Sequence, residues 1–224
     1  MIKDMIVLVT GATGGIGPHI TDRLSARGAE VIGTYINEDE KTAAEKRSSK
    51  SSGVSYYRVD LTVESEVEEL RAKIEENHGE LDGIVNLVGG FSMAPLEDTT
   101  KEKLTASFEL QAVTVFNVIR EFREHLETGS VINFSSQRAL NSEKNSIGYN
   151  VGKTAVKTIT ETANKELGAR VNALAPDIMD TQSNRDAMPD ADYSEWTGPE
   201  QVAYLVEFLL SGKSSAVSGE ILEV

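Results

Sequence analysis

The sequence predicts an α/β domain in which seven parallel strands form one sheet covered by helices. Three observations carry that prediction. Short apolar runs alternate with longer amphipathic stretches from one end of the chain to the other, the pattern of β-α repeats. A length of 224 residues suits a single domain large enough to bury a substantial core. No disulfide or thiolate-held metal can help to hold it, because the chain has no cysteine, which also fits a reducing compartment.

Met5–Thr10 is the first strand, an apolar run that ends on a glycine-rich turn. The helix after it covers Gly17–Arg27, and Pro18 is compatible with that helix because a missing N–H costs little in the first turn. Glu30–Thr34 and Ser55–Val59 are the second and third strands, separated by a helix over Glu38–Arg47. The Ser- and Lys-rich stretch Lys46–Gly53 reads as a loop, since strand signals resume directly after it. Glu64–Asn77 is the third helix, and its acids Glu64, Glu66, Glu68, Glu69, Glu75 and Glu76 read as a solvated face. Gly83–Leu87 and Ser130–Ser135 are the next two strands. Between them one long helix spans Lys101–Glu124, with Leu104, Phe108, Val115, Ile119 and Phe122 near one stripe and Ala112 and Phe116 beside it. The helix Tyr149–Glu166, with Ala155, Val156, Ile159 and Ala163 on its stripe, precedes the strand Arg170–Ala175. A helix over Pro199–Leu210 leads to the last strand, Gly219–Val224. Apolar side chains on the two long helices spread wider than one stripe, which points to a homo-oligomer, a tetramer or a dimer.

A formal charge of −14 would repel a phosphate backbone and argues against a nucleic-acid partner. No apolar run is long enough to span a bilayer, and the N-terminus enters a strand pattern without a charged-then-apolar leader. The expectation is a soluble, cytoplasmic protein. His19, His78 and His125 are scattered without metal-ligand spacing and read as surface or packing residues, so no metal site is expected.

A glycine-rich turn between strand and helix lets backbone N–H groups approach a pyrophosphate, while the helix N-terminus supplies partial positive charge. Gly11, Gly15 and Gly17 stand in that context, with Thr13, Gly14 and Ile16 among them. Their spacing differs from G-x-G-x-x-G, and glycines serving only a tight turn would give nearly the same pattern. The end of the second strand ordinarily selects between a ribose 2′-hydroxyl, held by an acid, and a 2′-phosphate, held by a base. Tyr35 stands there, followed by Ile36 and Asn37. The missing acid leans towards NADP over NAD, yet no Arg or Lys occupies the glycine-rich loop, so the preference stays open. Asp60 and Leu61 are placed to meet the adenine, with loop capping an equal account of the aspartate.

Ser136 follows the fifth strand, and Tyr149 and Lys153 lie one turn apart on the next helix, so phenol and ammonium share a face. A phenol with a pKa near 10 is a poor base at neutral pH, and bringing it to neutrality asks for roughly 4 kcal/mol. An ammonium about 4 Å away at an effective dielectric near 20 supplies a gross Coulomb energy of that order. Each residue alone has a plain structural reading, a snorkelling lysine or a strand end. The set points to acid–base chemistry at the phenol, with Ser136 able to donate a hydrogen bond to the same reacting atom.

The segments Thr10-Gly-x-x-x-Gly-Ile-Gly17, Asp60, Asn86-Leu87-Val88-Gly89, Ser136, Tyr149, Lys153 and Val171-Asn172-Ala173-Leu174-Ala175-Pro176, in this order, resemble the short-chain dehydrogenase/reductase family over essentially the whole chain. The resemblance implies a doubly wound Rossmann fold, a bound NAD or NADP and often a tetramer. It assigns the cofactor to Gly11, Thr13, Gly14, Gly15, Ile16, Gly17, Tyr35, Asp60, Leu61, Asn86, Gly89, Pro176 and Thr181, with Tyr149 and Lys153 at the nicotinamide end. Gln111 stands where the family commonly has an asparagine that positions a water relay, and Asp177 replaces a glycine. Gln111, Val88-Gly89-Gly90 and residues 188–196 are similar to the dihydropteridine reductase branch, which lacks the serine found here at Ser136. Trp196 reads as an anchor in the core. Residues 182–198 are expected to close over substrate as a lid with an apolar underside.

Three functions follow: an NAD(P)-dependent oxidoreductase of a small carbonyl or alcohol, a dihydropteridine-type reductase, and a dinucleotide-binding sensor or scaffold without turnover. The intact Ser136, Tyr149 and Lys153 favour the first.

Overall fold

A computed structural model describes residues 2–47 and 53–224. Its strands are β1 (Ile6–Thr10), β2 (Glu30–Tyr35), β3 (Val54–Arg58), β4 (Gly83–Asn86), β5 (Ser130–Phe134), β6 (Arg170–Ala175) and β7 (Ile221–Glu223). They form one seven-stranded sheet in the order β3-β2-β1-β4-β5-β6-β7, and every neighbouring pair is parallel. The chain steps outward from β1 to β3 and then returns past β1 to β4, so the sheet is doubly wound. Its direction reverses between β1 and β4, where open α/β sheets bind ligands. Of the expected loop Lys46–Gly53, residues 48–52 lie outside the described residues.

The helices are α1 (Gly17–Ala26), α2 (Glu38–Arg47), α3 (Glu64–Asn77), α4 (Lys101–Phe108), α5 (Thr114–Glu121), α6 (Gln137–Leu140), α7 (Ile147–Glu166), α8 (Gln182–Ala187) and α9 (Pro199–Leu210). Side chains alternate across the strands, which is why the central strands read as unbroken apolar runs in sequence. Leu8, Ile32, Ile84, Val131 and Val171 face one side, where they meet Leu70 and Ile74 of α3, Val115 and Val118 of α5 and Val156 of α7. Val7, Val9, Val31, Val85, Ile132 and Leu174 face the other, against Ile20 and Leu24 of α1 and Val202, Val206 and Leu209 of α9. Each such side chain stabilises the fold by about 1.5–3 kcal/mol through burial.

Register brings the carboxyl ends of three strands level: Thr10 pairs with Asn86, and Asn86 with Asn133. A polar ladder crosses these positions. Thr10 Oγ1 accepts from the Leu87 N–H at 3.1 Å, Asn86 Nδ2 donates to Asn133 Oδ1 at 2.9 Å, and Asn133 Nδ2 donates to Thr160 Oγ1 at 2.9 Å. Buried polar groups need partners, so this ladder fixes α7 against the strand ends and with it the loops that follow them.

The long helix expected over Lys101–Glu124 is interrupted. Residues Glu109–Val113 form a π turn between α4 and α5, and Arg123–Glu127 is a 3₁₀ segment. The wider turn shifts the helical phase, so Val115, Ile119 and Phe122 stay in the core while Phe108 and Phe116 are left 38% and 47% exposed. Trp196 is not a core anchor: it is half-buried and packs on Tyr193 with ring centroids 4.7 Å apart. The acidic face of α3 is partly paired, Glu64 with Arg120 at 2.9 Å and Glu75 with Arg71 at 2.9 Å. The histidines take packing and hydrogen-bonding roles: His19 meets Glu200, His78 meets Tyr57 and Glu30, and buried His125 accepts the Leu81 N–H. Among the described residues no helix is long and apolar enough to cross a membrane.

Candidate active site

The turn after β1 is shaped to receive a ligand. Gly11 has φ +62°, in the left-handed region, and a Cβ there would lie 3.1 Å from Val88 Cγ2. Its N–H donates to Thr34 Oγ1 at 3.1 Å, and the Ala12 N–H donates to the Thr34 carbonyl at 2.9 Å, which fixes the turn on β2. A Cβ on Gly17 would overlap the Ala12 carbonyl, so the start of α1 sits against the turn as closely as backbone permits. Ile16 is the N-cap and makes no side-chain capping bond, and the first turn of α1 holds no acid. The positive end of the helix is therefore left for an anion.

A cleft of about 330 Å³ opens over this turn, lined by residues 11, 13–17, 34–36, 40, 59–62, 87–89, 110 and 114. It gathers Gly11, Thr13, Gly14, Gly15, Ile16, Gly17, Tyr35, Asp60, Leu61 and Gly89, all expected from the sequence. Asp60 lines the cleft, and its Oδ1 accepts from the Thr62 N–H at 3.0 Å and hydroxyl at 2.6 Å, the loop-capping contact. Thr181 adjoins the turn, since a Cβ on Gly15 would lie 3.4 Å from Thr181 Cγ2. It also caps α8 by accepting from the Asn184 N–H at 3.3 Å. Asn86 and Pro176 do not line the cleft. The Asn86 side chain belongs to the polar ladder, and the buried Pro176 positions α6 by accepting from the Gln137 N–H at 3.2 Å.

The second group meets the first at Gly89. A Cβ on Gly89 would lie 3.1 Å from Lys153 Nζ and 2.6 Å from Gln111 Oε1, so only glycine leaves room for both side chains. Gln111 is fully buried in the π turn and its Nε2 donates to the Gly90 carbonyl. Its Oε1 is buried without a hydrogen-bond partner among the described residues. Lys153 is buried as well; Nζ donates to the Phe134 carbonyl at 2.8 Å, and its own carbonyl accepts from the Ser135 hydroxyl at 3.0 Å. Ser136 acts on the Tyr149 phenol and lowers its pKa.

Burial dominates the electrostatics. It pushes the Tyr149 phenol above its ordinary value, and the Ser136 hydrogen bond and the charge of Arg138 only partly oppose it. Burial likewise pulls Lys153 down from 10.5 to about 8. Burial thus opposes the lowering that the spacing of Tyr149 and Lys153 leads one to expect, and the charge that works against burial at the phenol is that of Arg138.

Three contributors were not legible from motifs. Phe91 meets Tyr149 edge-on with centroids 5.0 Å apart, and the Arg138 guanidinium lies 5.3 Å over the Phe91 ring. Arg138 is held by Ser146 Oγ at 3.1 Å and Glu143 at 2.8 Å. Glu40 of α2 lines the cleft and accepts from the Thr13 hydroxyl at 3.3 Å. Their only sequence signals are position, two residues beyond Ser136 and Gly89 and five beyond Tyr35. In the 182–198 segment, Arg185 pairs with Asp180 at 2.5 Å and stacks 4.6 Å over Tyr193, whose hydroxyl donates to the Pro189 carbonyl at 3.0 Å.

The reversed parallel sheet, the uncapped glycine turn and the residues beside Gly89 define a dinucleotide-dependent oxidoreductase. A family described as enoyl-(acyl carrier protein) reductase matches residues 11–224. The 3-oxoacyl-(acyl-carrier-protein) reductase FabG of Thermotoga maritima is 27% identical, covering 100% of this chain and 97% of that protein. An uncharacterized oxidoreductase of Staphylococcus saprophyticus is 30% identical over 83% of this chain and 82% of its own length. A solved short-chain type dehydrogenase/reductase from Mycobacterium ulcerans superposes with a TM-score of 0.92 at 27% identity, covering 100% of this chain and 89% of that one. The chain belongs to the short-chain dehydrogenase/reductase family and is an NAD(P)-dependent oxidoreductase.

Proposed function

We propose that this chain reduces a small carbonyl compound, or oxidises the matching alcohol, with Tyr149 as acid and base. The observation that carries the reading is the Lys153 ammonium beside Gly89 at the inner end of the cleft, on the same helix, α7, as Tyr149. The residues fit a nicotinamide dinucleotide: the glycine turn has no room for a Cβ at Gly11, and the uncapped α1 faces the place of the pyrophosphate. The bound dinucleotide supplies or accepts the hydride. Tyr149 passes its phenolic proton to the substrate carbonyl oxygen and takes it back in the oxidative direction. Ser136, which acts on that phenol, donates to the same oxygen and stabilises its developing charge. Lys153 has one N–H on Phe134 and keeps others for ribose hydroxyls. Gln111, anchored on Gly90, presents Oε1 beside the Lys153 ammonium in the place of the usual asparagine. Asn86 and Pro176 support the cofactor from behind the wall, and Thr181 closes it near Gly15.

Residues 1–224 act in this reading as one dinucleotide-binding domain, with 182–198 as the substrate loop. The lack of cysteine and the acidic charge support a cytoplasmic enzyme without a nucleic-acid partner. The decisive assay follows NADH and NADPH consumption over ketones, aldehydes, quinones and quinonoid dihydropterin. Turnover of ordinary carbonyls is expected. Activity confined to the dihydropterin would select the pteridine branch, and dinucleotide binding without any turnover would select a sensor.

The same reading makes the protein a homo-oligomer, a tetramer or a dimer. Phe116 on α5 and Ile147 and Val151 on α7 are 47%, 40% and 42% exposed, apolar side chains that a second copy would cover. Light scattering is expected to give a multiple of the chain mass, and Phe116→Glu to shift it towards the monomer.

A further inference from the structure

We propose that Glu40 makes the cleft select NAD(H) over NADP(H): its carboxylate receives the adenosine ribose 2′-hydroxyl and repels a 2′-phosphate. The inference rests on the dinucleotide reading above and adds to it the choice of cofactor, which Tyr35 left open.

Tyr35 itself offers no charge to the ribose. Its ring is buried, its hydroxyl donates to Glu38 Oε1 at 3.0 Å, and the Lys41 ammonium lies 5.2 Å from the ring centroid. The acid that the strand end lacks comes instead from α2. Glu40 lines the cleft beside residues 34–36, and its Oε2 accepts from the hydroxyl of Thr13, in the glycine turn, at 3.3 Å. This bond spans from α2 to the pyrophosphate turn and holds the carboxylate at the mouth of the cleft. Oε1 has no hydrogen-bond partner among the described residues. A carboxylate oxygen of this kind can accept from a ribose hydroxyl, as the acid at a strand end does in other dinucleotide sites.

The charge of the wall points the same way. The ionisable side chains lining the cleft, among the described residues, are Glu40, Asp60 and the Tyr35 phenol, with no Lys or Arg. A phosphate monoester carries a charge of about −1.5 to −2 at neutral pH. Beside Glu40 it would meet a like charge instead of a forked donor. The nearby cation, Lys41, is turned onto the Tyr35 ring beside Glu38. A site that both accepts from the hydroxyl and repels the phosphate discriminates twice with one side chain.

Calorimetric titration of the intact protein with NADH and with NADPH tests this without relying on turnover. NADH is expected to bind at least about tenfold more tightly. Glu40→Gln should weaken NADH by about three- to tenfold while NADPH affinity holds or improves, and Glu40→Arg should reverse the preference. Glu40 is exposed on α2, and an unchanged melting transition will show that both variants fold. NADPH binding as tightly as NADH to the parent protein, or Glu40→Gln weakening both equally, would overturn the inference and leave the oxidoreductase reading intact. Failure of both dinucleotides to bind would overturn the two together.

Discussion

Tyr149→Phe is expected to slow carbonyl reduction by about 10²–10⁴-fold while dinucleotide affinity and folding stay near their parent values. The size follows from what the substitution removes. Burial keeps the phenol protonated at neutral pH. A protonated phenol is the form that reduction needs, since the carbonyl oxygen must gain a proton as it gains charge. Phenylalanine keeps the ring, and with it the edge-on packing on Phe91 at 5.0 Å, so the variant loses the acid without opening a cavity. The check is kcat/KM for reduction beside a dinucleotide titration and a thermal melt. Reduction at the parent rate in a folded variant would show that the proton comes from another group. The raised phenol also gives a direction to pH dependence: oxidation requires phenolate, so the oxidative rate should climb as pH rises towards the phenol's raised value.

The parts of this site that were legible in the sequence are those fixed by local chemistry. The β6 strand and α2, α3 and α9 begin and end where expected, because apolar period, acidic first turns and Pro199 mark their limits without help from packing. The glycine turn and the Ser136, Tyr149 and Lys153 spacing were legible for the same reason: a turn and a helical repeat are properties of neighbours in the chain. Gln111 shows where that reasoning ends. A π turn leaves no compositional mark, so the long helix over Lys101–Glu124 read as continuous, and only the fold reveals that the wider turn buries Gln111 between Gly89 and Gly152. Glu40 failed for another reason. On a mostly exposed helix an acid reads as solvated, and its role depends on Thr13, a residue that is distant in sequence. The electrostatic sign at Tyr149 was illegible because a Coulomb estimate needs only spacing, whereas desolvation needs the whole surrounding structure.

Lys153→Met is expected to raise stability at pH 7 by roughly 2 kcal/mol and to cut carbonyl reduction by at least about 10²-fold. Burial holds the folded pKa of Lys153 at about 8 against 10.5 for the ordinary side chain. Below pH 8 both states carry the proton, and folding bears the full cost of burying it, roughly 3 kcal/mol for that displacement. Between about 8 and 10.5 the unfolded chain binds more protons than the folded one, so this contribution makes parent stability rise with pH and the cost disappears. Methionine fills the space of the stem without charge, but it leaves the Phe134 carbonyl without its donor, which offsets about 1 kcal/mol of the gain. Denaturant midpoints at pH 7 and pH 10 measure the effect: the variant should lead at pH 7, and its lead should shrink or vanish at pH 10. A variant less stable than the parent at both values would mean that the Phe134 hydrogen bond outweighs the buried charge. The same displacement sets the activity limit. If the ammonium form of Lys153 is the working one, parent reduction declines as pH rises through about 8, and the residual activity of Lys153→Met lacks that decline. Stability gained where activity is lost is what a charge held for chemistry predicts, because a lysine serving only the fold would not be kept at such a cost.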